Sequence, residues 1–106
     1  MKGLLTATVL LGLLTPAVAS AESHAKVFAL VPKAMNNPFF DLARDGCYKA
    51  QDELADVTCE YIGPGEHTEL EQIQIVQDLI TKGVDGIAVA PSNAPAMAKA
   101  LQAEQT

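Results

Sequence analysis

Three short apolar runs, each followed by a stretch of helical periodicity, constrain this chain more than any other feature in it. The runs are KVFALVP (26–32), VTCEYI (57–62) and GIAVAP (86–91). The first and third are nearly continuous in apolar residues instead of alternating, the habit of strands buried on both faces of a parallel sheet. After the first run, Phe40, Ala43, Cys47, Ala50 and Leu54 recur at helical spacing; after the second, Leu70, Ile73, Val76, Leu79 and Ile80 do; after the third, Met97, Ala98 and Leu101 do. The order β-α-β-α-β-α predicts an α/β fold, a parallel sheet flanked by helices on both faces and joined by right-handed crossovers.

Local chemistry marks the helix boundaries. Asn37 suits an N-cap and Pro38 the first helical position, where no backbone donor is needed. Asp41 complements the positive end of the helix dipole. Thr68 and Glu71 have the spacing of a capping box. Ser92 or Asn93 is expected to cap the last helix, with Pro95 in its first turn. Gly83 is placed to end the second helix, and Gly46 to let the first approach the sheet closely.

The N-terminus reads separately from this pattern. Met1 and Lys2 precede the apolar run GLLTATVLLGLLT (3–15), and PAVASA (16–21) ends in small residues. This is the layout of a secretory signal peptide, with cleavage expected after Ala21, or alternatively after Ala19. A membrane anchor is the competing reading, but the run is shorter than the ~20 residues a spanning helix needs. The domain division is therefore 1–21 as signal peptide and 22–106 as the folded part. Cleavage removes only Lys2 among the charged residues, so the net charge of −6 becomes one unit more negative. An acidic, aromatic-poor domain without basic clusters argues against nucleic acid or an anionic membrane as partner. The alternation stops on a helix that has no strand to return to, which suggests the N-terminal piece of a longer protein.

In open α/β sheets ligands bind beyond the carboxyl ends of the strands. Here those ends lead into 32–37, 63–67 and 91–93. The stretch NNPFFDL (36–42) therefore falls at the ligand-binding edge. Asparagine amides donate and accept at once, which suits neighbouring hydroxyls, and flat rings suit the C–H faces of a sugar. A plainer reading stands beside this one: Asn37 only caps the helix and Phe40 belongs to its core stripe. Phe39 falls off that stripe, and pattern alone admits either a ligand contact or a packing contact for it.

FALVPKAMNNPFFDLARDGCYKA (28–50) followed by QIVQDLITKGVDGIAVAPSNAPAMAKAL (74–101) resembles the periplasmic sugar-binding proteins of the ribose-binding type, the type I substrate-binding proteins of ABC transporters. The N-N-P-F-F spacing and the KGVDGI segment leading to a strand that ends in PSN carry the resemblance. It implies two α/β lobes closing on a ligand, with this chain as the first part of the N-terminal lobe. It implies a monosaccharide or related polyol as ligand, a membrane permease as partner and the periplasm as location. A periplasmic sensor subunit acting on a receptor kinase or chemoreceptor is the alternative. By the same resemblance Asn37 is a sugar-hydroxyl ligand, and Phe39 and Phe40 flank the sugar ring. Lys33 falls where ribose binders carry a small polar residue that reaches the ligand. That departure puts ribose itself in doubt and points either to an acidic or acceptor-rich ligand or to a solvated lysine at the cleft rim.

Cys47 and Cys59 admit two readings, inert buried thiols or a disulfide; an oxidising compartment favours the disulfide. Their spacing is not that of a redox C-x-x-C pair. His24 and His67 have no companions at metal-ligand spacing, so no metal site is expected. No phosphate-binding glycine loop and no nucleophile elbow occurs, so neither a cofactor nor an enzyme activity is expected.

Overall fold

A computed structural model describes residues 25–103, together with Gly3 and Gly12. The expected signal peptide and His24 otherwise lie outside the described residues. Strands β1 (Lys26–Val31), β2 (Val57–Tyr61) and β3 (Gly86–Val89) form one parallel sheet in the order β2-β1-β3. Phe28 pairs with Cys59 on one side and with Gly86 on the other, and Leu30 with Tyr61 and Ala88. A 3-10 turn (Pro38–Phe40) leads into α1 (Asp41–Glu53); α2 (Glu69–Lys82) and α3 (Ala94–Ala103) complete the expected alternation.

β1 and β3 end earlier than their apolar runs. Pro32 and Pro91 have no backbone N–H to give to a ladder, so pairing fades where each run reaches its proline. Ala90 N still donates to Val31 O at 2.9 Å, the last rung between β1 and β3.

The two faces of the sheet differ. Ala29 and Val31 point to one face, where α2 and α3 bury Val76, Leu79 and Met97 against them, with Ile73, Ile87, Val89 and Leu101 around the edge. On the other face lie Phe28, Leu30 and Cys59, and α1 is held there by a disulfide between Cys47 and Cys59, whose Cα atoms are 5.6 Å apart. This second face is only half covered: Phe28 is 41% exposed. The expectation that the first and third strands are buried on both faces is therefore not met among the described residues. A single helix cannot span three strands, and α1 packs chiefly on β2.

Several finer expectations also change. Of the α1 stripe only Cys47 is buried, while Ala43 and Leu54 are exposed. Gly46 is exposed, and a Cβ added there would meet nothing within 4 Å, so it makes no close approach to the sheet. Leu70 is 78% exposed and Ala98 faces outward. The buried stripe of α2 runs instead through Gln72, Val76 and Leu79. Thr68 is the N-cap residue of α2, but its side chain makes no capping bond; its carbonyl takes the first helical bond, from Gln72 N at 3.0 Å. Gly83 ends α2 in the left-handed conformation (φ 82°), where its N–H reaches the carbonyls of Ile80 and Leu79. Glycine adopts that conformation without the clash a Cβ would bring.

Candidate functional site

The loop after β1, residues 32–37, is held from both sides before it delivers the aromatic pair. Toward β2, Met35 N donates to Pro64 O at 2.8 Å. Gly63 lies so close that an added Cβ would sit 2.9 Å from Pro32 Cδ and Cγ. Only a residue without a side chain lets these two loops meet. Ala34 and Pro64 are fully buried between them.

Toward β3 the connection is made by one side chain from α2. Gln72 is 1% exposed. Its Nε2 donates to Pro32 O at 2.9 Å and to Ala90 O at 2.8 Å, and its Oε1 accepts from Ser92 N at 2.9 Å. On the far side of the β3 loop, Asn93 starts α3: its Oδ1 accepts from Ala96 N at 3.0 Å. Asn93, not Ser92, is therefore the cap that the sequence left open.

Asn37 is extended (φ −99°, ψ 111°), and its Oδ1 accepts from Phe39 N at 3.0 Å. That bond leaves the Nδ2 donors of Asn37 available and fixes the turn that follows. The turn is tighter than an α-helix, which rotates Phe39 away from the packed side. Phe39 is 79% exposed, while Phe40 is half-buried. Their rings meet edge to face, with centroids 5.1 Å apart and planes at 87°, the arrangement the ring quadrupoles favour.

Phe39 and Phe40 line a cavity of about 500 Å³ that continues down the half-open sheet face past Leu30, Ala88 and Tyr61. Its wall is almost wholly apolar. Lys33 and Asn37 are not on that wall; they sit on the loop above it, and Lys33 is half-buried without an ion pair among the described residues. The structure thus brings the two rings together and leaves the two polar candidates beside them at the strand ends. A neighbouring cavity of about 360 Å³ lies against Phe28, Gly86 and the disulfide.

Tyr61 closes the floor of the first cavity. Its oxygen is enclosed and makes no hydrogen bond within the described residues. Burial raises its pKa, Asp41 and Tyr48 add to that rise, and Arg44 opposes it. Arg44 is itself engaged by Asp45 at 3.2 Å and Asp41 at 3.5 Å. Among the described residues no group of His, Cys, Asp and Glu is arranged to hold a metal ion.

Sequence reasoning missed Gln72, Gly63 and Tyr61. A signal for Gln72 exists: it is the polar member of a stripe at 72, 76 and 79 whose other members are apolar, and a polar residue on a buried stripe needs partners. Nothing in the sequence pattern singles out the approach of Gly63 to Pro32.

The alternating fold, its strand order and the loops gathered at one sheet edge define a ligand-binding α/β class, and residues 28–105 match the family model of the periplasmic binding protein domain. The chain belongs to that family. It is 38% identical over 82 residues to the D-ribose/D-allose-binding protein of Pseudomonas aeruginosa, covering 71% of this chain and 25% of that protein. It is 30% identical over 97 residues to the ribose import binding protein of Haemophilus influenzae, covering 92% of this chain and 32% of that one. A solute-binding protein of a Burkholderia graminis ABC transporter, solved in complex with D-arabinose, superimposes with a TM-score of 0.67 at 31% identity over 76% of this chain and 28% of its own. The chain spans about a quarter to a third of the length of the curated relatives it matches.

Proposed function

We propose that this chain supplies one wall of the sugar site in the substrate-binding component of a sugar ABC transporter. In this reading residues 1–21 direct export and are cleaved, and residues 22–106 form the first part of an N-terminal lobe. The complete protein captures a monosaccharide or related polyol in the periplasm and delivers it to a membrane permease. Its role is binding, not catalysis.

The observation that carries the reading is the Asn37–Phe39–Phe40 turn. It stands at the carboxyl edge of a parallel sheet, where ligands of such sheets bind. An aromatic ring left 79% exposed at that edge, fixed by a side-chain cap and a ring partner, is organised for contact with something outside the described residues. Apolar ring faces beside a few amide donors are the composition of a sugar-sized site. The relatives named for ribose, allose and arabinose point the same way. Lys33 stands at the rim of the site, where its ammonium favours a ligand rich in acceptors.

The test is a thermal-shift and calorimetric screen of the complete protein against D-ribose, D-allose, D-arabinose and their acidic derivatives. An upward shift of the melting transition with one of these, saturable and stoichiometric, is expected. No shift with any monosaccharide or polyol would contradict the proposal.

A further inference from the structure

We propose that Gln72 is a positioning residue of the binding site, which sets the separation of the loops after β1 and β3 without touching the ligand. This inference rests on the sugar-binding reading above. The ladder between β1 and β3 ends at the bond from Ala90 N to Val31 O. Beyond it the chains run into Pro32 and Pro91, and two carbonyls, of Pro32 and Ala90, are left without a strand partner. The amide of Gln72 replaces the missing rungs. It gives one Nε2 proton to each carbonyl and takes the Ser92 N–H on its oxygen.

Three features make this more than ordinary core packing. First, a single rigid planar group is bonded to both loops at once, so the loops cannot separate or slide without breaking two or three buried bonds. Second, the bonded atoms stand next to residues of the ligand-binding edge in sequence: Lys33, a candidate contact, follows Pro32, and Asn93, the cap of α3, follows Ser92. Third, no other side chain of this size matches. Glutamate would turn a carboxylate oxygen toward two carbonyl oxygens, and leucine or methionine would leave all three backbone groups unpaired. Sites of this kind lose affinity when their supporting shell loosens by a fraction of an ångström.

The experiment compares three forms of the complete protein, with D-ribose, D-allose and D-arabinose as probes: wild type, Gln72→Leu and, as a stability control, Val76→Ala. Val76 is fully buried on the same face of α2 and touches neither loop through a hydrogen bond. Gln72→Leu is expected to weaken binding by about tenfold or more. Val76→Ala, with a comparable drop in melting temperature, is expected to stay within about twofold of wild type. Equal affinity in Gln72→Leu and wild type, or an equal loss in Val76→Ala, would overturn the proposal. If Gln72→Leu does not fold, Gln72→Glu takes its place. Its affinity should improve as pH falls, because the protonated acid regains one donor, while wild type shows no such slope; a flat profile would overturn the proposal. A wild type that binds none of the probes refutes the sugar reading by itself. Amide exchange then judges Gln72: the Ser92 N–H should lose protection in the variant while the amides of β1 and α2 keep theirs, and unchanged Ser92 exchange would contradict the clamp.

Discussion

The two faces of the sheet are held by different means. On the α2/α3 face, close packing suffices: Ala29, Val31, Val76, Leu79 and Met97 exclude water almost entirely. On the α1 face, the apolar side chains are fewer and partly wet, and a covalent bond from Cys47 to Cys59 fastens the helix to β2. The same half-open face carries the aromatic pair and both cavities. Among the described residues, packing holds one face, and a cross-link adds to the hold on the other.

This contrast can be broken from either side. The largest expected effect on stability is at the packed face: Leu79→Ala should destabilise the fold by about 2–5 kcal/mol, because the cavity lies where nothing can collapse into it. Chemical denaturation followed by circular dichroism measures it. Next comes the stapled face. Replacing both Cys47 and Cys59 by alanine should cost about 3 kcal/mol in the chain-entropy account of a short loop. Reductant should lower the melting point of the wild type and leave the double variant unchanged; equal melting points of the two would show that the packing of α1 needs no staple.

A smaller effect is expected from pH. The pKa of Tyr61 is raised, chiefly by burial. The folded chain thus holds the phenol proton longer than the unfolded chain does. The associated stability is complete below the ordinary tyrosine pKa of about 10 and is lost as pH rises through the higher folded value. Tyr61→Phe should flatten that alkaline loss, and at neutral pH it should be close to neutral, since the enclosed hydroxyl has no partner to lose among the described residues. Smallest of all is Leu70→Ser on the outer side of α2, which should stay within about 0.5 kcal/mol of wild type despite its place in the apolar periodicity.

Much of the fold was legible because alternation and helical spacing are local. Three strands, three helices and their order follow from runs and periods, and Asn37, Gly83 and Pro38 from backbone demands at single positions. What the sequence hid was relational. The run around Phe28 looks as buried as the run around Ile87, yet coverage depends on how many helices reach each face. Thr68 and Glu71 have the letters of a capping box without its bond. At the strand ends, Phe39 could be singled out because it falls off the helical stripe, whereas Asn37 and Phe40 read equally well as cap and core, and their ligand roles follow from the family resemblance alone. Gln72 shows in the sequence only as a polar residue on a buried stripe; its partners, backbone atoms of two other loops, do not show there.

In the proposed function the Phe39 ring is there for a ligand and not for the fold. Calorimetric titration of the complete protein with D-ribose, D-allose and D-arabinose, together with melting of the same samples, tests it in wild type and Phe39→Ala. The expected result is an affinity lower by about tenfold or more, from ~1–3 kcal/mol of lost ring contact, with the melting point of the unliganded protein unchanged. Unchanged affinity, or a drop in stability that matches the loss of binding, would return Phe39 to a packing role and contradict the claim.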